Sequence, residues 1–395
     1  MSSAVFTLVY VSSGLGVHIE SISDAFYRFL GDCFSFVSTI EQHGGGIHQS
    51  AEQGKSYNKP YCVYAWKSEQ ELLKAFSLID GADVVIYGGA DFKYVRKRLE
   101  QKKLTFYSSE RWFKKPFYFT SPKGWIDLFR TVVRYQNPNF YYLALGAYCA
   151  NDARLLRVFR DKVFQFAYLV PVDQYDINNR LVARKNKTVS IMWCGRFIDW
   201  KHPEMPVNLA KRLVENGVTN FKITMVGDRT PLQEKMKKRI DFAGVSDYVC
   251  LTGGLTNKEV RKMMANSEVF LITSDRKEGW GAVLNEAMGE GCTPVVSNEI
   301  GSCPVLIKNG NNGLVFKSKS DRSLYSIVKT LITNSDLRDD LAREAYRTIT
   351  GEWSVDNVAQ RFINLAQSIM KGEGLSYMNG PCSKSYPIDS SSFYL

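Results

Sequence analysis

Apolar residues are arranged along the chain in two alternating ways. Continuous runs such as FTLVYVS (6–12), ADVVIYGG (82–89), FYYLALG (140–146) and VFLITS (269–274) read as strands buried on both faces. Between them lie stretches whose apolar positions recur every three or four residues, as in 19–30, 68–79 and 151–160, the spacing of helices with one buried face. Alternation of this kind predicts parallel sheets with crossover helices. A first series places strands at 6–12, 33–39, 82–89, 104–110, 140–146 and 164–170, with helices at 19–30, 68–79, 92–103, 125–136 and 151–160. From 172 the composition turns polar and charged without an apolar period, which sets a linker at 173–187 between a domain at 1–172 and another at 188–371. The second series has strands at 188–196, 221–227, 248–254, 269–274, 293–298 and 313–316, with helices at 203–216, 231–243, 257–265, 282–289 and onward to Met370. The last stretch, 372–395, rich in Gly, Ser and Tyr, reads as a flexible tail.

At 395 residues, 45% hydrophobic and 23% charged, the chain is too long for one core and apolar enough to fill two. Those values exclude global disorder, collagen-like repetition and a polytopic membrane protein. The apolar stretch at 4–11 falls far short of the ~20 residues of a spanning helix and reads as the first strand. Eight cysteines without a C-x-x-C pair read as reduced thiols of a cytoplasmic protein. The net charge of +11 asks for an anionic partner: nucleic acid, a membrane surface or a phosphorylated substrate.

Chemistry is densest in SDRKEGWGAVLNEAMGEGCTPVV (274–296). Glu278 falls in the loop after a strand, and Glu286 on the first turns of the helix that follows. Gly279 and Gly281 allow the backbone close to a ligand, and the free N–H groups of the helix start suit a pyrophosphate. Carboxylates on either side of that phosphate accept charge-assisted bonds from hydroxyls, Glu286 from a ribose. A second cluster, GRFIDWK (195–201), leaves the first strand of the second domain and sends Arg196 and Lys201 toward the same phosphate, one as a fork and the other as a point charge.

Together these residues resemble the family 4 retaining glycosyltransferases of the GT-B fold. The resemblance runs from about 189 to 316: the GR…K opening, VGD at 226–228, the YVCLTGG strand, the paired glutamates of EGWGAVLNEAM, and PVV at 294–296. It implies an α/β fold of two Rossmann-like, doubly wound domains facing a central cleft, with a UDP- or GDP-linked sugar donor held mainly by the second. By the same resemblance Arg196 and Lys201 neutralise the diphosphate, Glu278 holds the donor sugar and Glu286 the ribose. The backbone through Gly279, Trp280, Gly281, Ala282, Val283 and Leu284 lines sugar and phosphate. Arg196, Lys201 and Glu278 form the expected catalytic set, retention following from same-face attack in which the departing phosphate oxygen takes the acceptor proton. The implied acceptor is a saccharide, lipid-linked, in bacterial capsular or other surface polysaccharide synthesis.

The first domain offers fewer signals. SSGLGVH (12–18) opens the first helix, with Gly16 expected to approach the donor phosphate and His18 read as either an acceptor-side or a structural residue. The stretch YSSERWFKK (107–115) resembles the S-E-R-x-x-K segment of a subgroup found in bacterial polysaccharide gene sets, which puts Glu110 and Arg111 on the acceptor side. From Lys93 to Lys115 nine basic residues face only Glu100 and Glu110, and Phe117, Tyr118, Phe119 and Trp125 follow. That pattern suits peripheral docking at the anionic inner face of the cell membrane; a solvated basic helix is the other reading, and nucleic acid is not an expected partner. The sequence has no D-x-D triplet, and His18, His43, His48 and His202 form no ligand cluster, so neither metal nor cofactor is expected. A GT-B sugar-nucleotide epimerase shares the fold and donor pocket but not these motifs. An RNA-binding protein leaves the paired glutamates unexplained, and a dehydrogenase lacks the third glycine of G-x-G-x-x-G.

Overall fold

The computed structural model describes residues 6–41, 59–114, 121–184, 188–228, 230–374 and 377–393. Lys115 and Phe117 to Phe119, together with the glycine-rich 44–46, lie outside these. The described chain forms two compact units, the first from residues up to 171 together with 353–388, the second from 172–352 and the residues after 388.

The first unit contains β1 (Leu8–Ser12), α1 (Val17–Leu30), β2 (Phe34–Ser38), β3 (Cys62–Tyr64), α2 (Glu69–Gly81), β4 (Val84–Tyr87), α3 (Arg96–Glu100), β5 (Thr105–Ser109), α4 (Pro122–Leu128), β6 (Phe140–Leu145), α5 (Cys149–Leu155) and β7 (Val163–Phe166). Its seven-stranded sheet has the order β3-β2-β1-β4-β5-β6-β7, with every neighbour parallel. β1 and β4 are buried along their whole length, as a sheet covered on both faces requires. The three-residue β3 carries too short a pattern to be read from sequence.

The expected helix at 92–103 is a 3-10 turn (Phe92–Tyr94) followed by the short α3. Inside it Arg98 is fully buried. Its guanidinium donates to the carbonyls of Ile79 (2.9 Å), Ala82 (2.7 Å), Asp83 (2.9 Å) and Leu104 (2.7 Å) and to Thr105 Oγ1 (3.1 Å), stitching α2, α3 and β5 together. Arg96 pairs with Glu100, while Lys97 and Lys103 both reach Asp80. Lys93, Arg96, Lys97, Lys102 and Lys103 remain exposed, so the stretch is a basic surface from which Arg98 alone turns fully inside. Of the aromatics in and after it, Phe113 is buried and Trp112 stacks on Tyr142 at 5.2 Å, while Trp125 is exposed.

The second unit opens with α6 (Ile177–Arg184) in the segment expected to be a linker. Ile177 and Leu181 pack on Ala342 and Tyr346, and Arg184 donates to the carbonyls of Ser267 (2.8 Å) and Gly291 (2.7 Å), so this helix belongs to the second core. There follow β8 (Val189–Cys194), α7 (Glu204–Glu215), β9 (Phe221–Val226), α8 (Pro231–Phe242), β10 (Val249–Leu251), α9 (Asn257–Ala265), β11 (Val269–Ile272), α10 (Val283–Gly289), β12 (Thr293–Ser297), α11 (Cys303–Leu306), β13 (Leu314–Phe316), α12 (Asp321–Thr333) and α13 (Ser335–Arg347). Its six strands are parallel in the order β10-β9-β8-β11-β12-β13.

Two C-terminal boundaries differ from the sequence expectation. The long α14 (Val355–Lys371) returns to the first unit, where Phe362 packs against Phe26, Phe106 and Phe166. Amphipathic period announces a buried face without saying which sheet it covers. The expected tail is also ordered where it is described: Cys382 N–H donates to Gln165 O and Ser385 N–H to Val163 O, both at 2.8 Å, which covers the open edge of β7.

Candidate functional site

In the second sheet the strand order reverses between β8 and β11, and an open parallel sheet binds ligands beyond the carboxyl ends of its strands at such a point. The loop after β8 carries Arg196 and Lys201; the loop after β11 carries Glu278. Lys201 closes a 3-10 turn (Asp199–Lys201), and its ammonium is ion-paired with the Glu278 carboxylate. Ser274 Oγ donates to the same carboxylate at 3.2 Å. Both partners are mostly covered, with 15% and 17% of their side chains exposed.

These two loops are fastened to each other below the pair. Trp193 Nε1 donates to Thr273 Oγ1 (2.9 Å), which donates to the Lys201 carbonyl (2.5 Å), and Asp275 N–H donates to Trp200 O (2.9 Å). His202 follows Lys201 in a left-handed conformation, φ 48°, uncommon for a residue with a Cβ. Its ring sits between Asp275 (3.2 Å) and Glu204 (2.9 Å), and those hydrogen bonds, outweighing burial, raise its pKa from the ordinary 6.5 to about 9. At neutral pH the imidazolium thus bridges the two loops. Burial alone would raise Asp275, but His202, the Lys277 N–H and Lys319 hold it well below the usual carboxylate range.

The linkage sign follows from the raised His202 pKa. The stabilisation is complete below 6.5 and is lost as pH rises through about 9. His202→Ala is expected to lower the melting temperature most at pH 6.5 and below, with the gap from the unsubstituted protein closing as pH passes about 9. Parallel thermal melts across that range are the check; a constant gap removes the charged bridge.

Gly281 has φ +87°, and a Cβ there would come within 3.1 Å of Ile300 Cγ2 and 3.3 Å of Glu278 Cγ, so the turn into α10 needs glycine. Glu286 lies in the first turn of α10, half-buried, and accepts from Asn257 Nδ2 at 3.3 Å. Burial pushes its carboxyl upward, against the opposing pull of Asn257 and of Arg261, the latter ion-paired with Glu290. The Cys194 thiol at the end of β8 is raised to about 12, first by burial, then by the Glu286 charge, with Lys201 opposing and Asp228 adding. Lys201, Asp228 and Glu286 therefore all act on one point at the end of β8.

Other expected residues divide. Arg196 is exposed, its guanidinium 6.0 Å from the Trp200 ring. Gly279 is buried, and Ala282 and Val283 are half-buried beside it. The Trp280 indole and the Leu284 side chain, by contrast, are fully buried. Trp280 Nε1 donates to Asn285 Oδ1 (2.9 Å) and its carbonyl accepts from Ser302 N–H (3.1 Å), so the ring anchors the loop from behind and does not face a sugar. Sequence reasoning missed Thr273, Ser274, Asp275, His202 and Asn257. Their one available signal was position, Thr273 to Asp275 lying directly after β11.

In the first unit Gly16 caps α1 at φ −76°, a conformation open to any residue, and a Cβ there would meet no atom within 4 Å. Nothing internal to the fold requires this glycine. His18 lies against Tyr168 at 5.5 Å. Glu110 is ion-paired with Lys114, and Arg111 with the buried Asp152 at 3.1 Å. Asp152 also accepts from Phe113 N–H at 2.9 Å, so Arg111 holds the chain after β5 in place.

Residues 175–348 match the family model described as Glycosyl transferases group 1. That match covers most of the second unit and less than half of the chain. Among curated proteins the chain is 24% identical over 210 residues to an uncharacterized glycosyltransferase of Methanocaldococcus jannaschii (51% of this chain, 53% of the relative). It is 25% identical over 178 residues to the lipopolysaccharide core biosynthesis glycosyltransferase LpsE of Rhizobium meliloti (45% of this chain, 49% of the relative). The matched segments span about half the length of these relatives. Among solved structures, HepE of Anabaena in complex with UDP and glucose superposes with a TM-score of 0.65 over 92% of this chain and 100% of that one, at 14% identity. The two parallel-sheet units are those of the GT-B fold.

Proposed function

We propose that the chain is a retaining glycosyltransferase of family 4 that moves a sugar from a UDP- or GDP-linked donor to a lipid-linked saccharide at the inner face of the cytoplasmic membrane, in surface or capsular polysaccharide synthesis, without a metal ion. The observation that carries this is the Lys201–Glu278 pair at the β8/β11 switch, with Glu286 one helix turn into α10. A diphosphate entering beside Arg196 draws Lys201 away from Glu278 and frees that carboxylate for the donor sugar's hydroxyls; Glu286 accepts from the ribose. As the bond from the anomeric carbon to the phosphate oxygen breaks, negative charge grows on the diphosphate, and Lys201 and Arg196 are the cations that meet it. The acceptor oxygen bonds to the anomeric carbon on the same face, and its proton passes to the departing phosphate oxygen. No side chain need act as base.

HepE, described with UDP and glucose, supports a uridine-linked hexose, and LpsE supports a lipid-linked acceptor. The test incubates the full chain with a panel of UDP- and GDP-sugars, with and without membrane lipid extract, and follows nucleotide release. Release that requires extract and persists in excess EDTA is expected. Activity abolished by chelation and restored by Mg²⁺ contradicts the metal-free account; interconversion of the sugar with no release points to an epimerase.

A further inference from the structure

Besides the basic stretch before β5, the first unit displays a second surface that combines cationic with apolar side chains. Ser121 Oγ accepts from Gly124 N–H at 3.3 Å and Pro122 opens α4, which continues through a π-type turn (Phe129–Val133). On one side Leu128, Val132 and Val133 pack against the first unit's core. On the other, Trp125 (37%), Ile126 (48%) and Phe129 (58%) stand exposed. Phe129 lies four residues from Trp125 and three from Ile126, so it neighbours both on the helix surface. Lys123 and Arg130 border them and Arg134 follows; all three are exposed, and Asp127 is the one acidic residue between Ser121 and Arg134. Trp125 packs against Phe113, 5.4 Å between ring centroids.

We propose that α4 and its π-type turn form the docking surface for an anionic lipid leaflet, with Trp125, Ile126 and Phe129 entering the headgroup boundary and Lys123, Arg130 and Arg134 resting on the phosphates. This rests on the reading of the acceptor as lipid-linked and names the surface that brings the enzyme to it. A lone apolar patch would serve any partner. Here the cationic border selects an anionic one, and an apolar stripe edged by basic residues is the arrangement that lies in a membrane interface rather than across it. Among the described residues no helix is long and apolar enough to cross a bilayer.

The experiment sediments the full chain with phosphatidylcholine vesicles containing or lacking phosphatidylglycerol, at low and physiological salt. The unsubstituted protein is expected to bind only the anionic vesicles and to be released by salt. Trp125→Ser/Phe129→Ser and, independently, Lys123→Glu/Arg130→Glu are each expected to lower the bound fraction about tenfold, while Lys97→Gln/Lys103→Gln changes it less than about twofold. Nucleotide binding by each variant reports an intact fold. Three results overturn the proposal: no vesicle binding by the unsubstituted protein, binding by both α4 variants equal to that of the unsubstituted protein, or a shift in the lipid-free sedimentation coefficient on substitution, which would mean that a second copy of the chain covers the helix. Vesicle binding without any nucleotide binding would refute the transferase reading and leave the docking surface standing.

Discussion

Lys201→Ala is expected to reduce turnover by about 10²–10³-fold, the scale on which removing one group aimed at developing negative charge lowers kcat. Nucleotide diphosphate affinity is expected to fall by about tenfold or more, since the loss of a charge-assisted contact costs ~1.5–3 kcal/mol. The substitution acts twice. It deletes the cation, and it leaves Glu278, mostly covered, with Ser274 as its remaining hydrogen-bond partner and an unneutralised charge facing the incoming phosphate. Adding Glu278→Gln to Lys201→Ala is therefore expected to recover part of the nucleotide affinity while turnover stays low, because the repulsive carboxylate is gone but the charge aimed at the leaving group is not restored. Calorimetry and donor turnover on the two variants separate these effects. A Lys201→Ala protein that keeps both its affinity and its turnover has no phosphate ligand at that position.

Arg98→Met is expected to destabilise the first unit by about 3 kcal/mol or more, from the carbonyls of Ile79, Ala82 and Asp83 left without their donor at ~1–3 kcal/mol each, while Leu104 O keeps the Val85 N–H. Against a typical total of ~5–15 kcal/mol, that is a large fraction of the stability. Lys97→Met, one residue away on the exposed side of the same short helix, is expected to change stability by less than ~1 kcal/mol, as isolated surface ion pairs do. Urea denaturation of the full chain followed by circular dichroism is the check. Equal midpoints for the two variants would show that Arg98 is not the staple its contacts describe.

The contrast between Arg98 and its neighbours shows where sequence reasoning stops. A run of Lys and Arg announces charge, but burial is decided by what the run packs against, and here a short α3 turns one of its arginines into the gap between α2 and β5. Parallel strands such as β1 and β4 were legible because burial on both faces leaves an uninterrupted apolar run. The side of the molecule taken by α14 was not, since its apolar period is the same whichever sheet it covers. Within the site, Lys201, Glu278 and Glu286 were legible because they lie at strand ends and at a helix start marked by glycines. Asp275 and His202 were not, because their meaning comes from each other, 73 positions apart. Trp280 has a part that its motif did not announce, since its indole turns inward to Asn285.

The account stands on a nucleotide diphosphate bound at the β8/β11 switch, and calorimetric titration of UDP and GDP into the unsubstituted chain, Lys201→Ala and Glu286→Ala tests it most directly. The predicted result is binding of at least one of the two nucleotides to the unsubstituted chain, with each substitution weakening it by about tenfold or more, Lys201 through the phosphates and Glu286 through the ribose. Binding of that nucleotide with equal affinity by all three proteins, or of neither nucleotide by the unsubstituted chain, would contradict it.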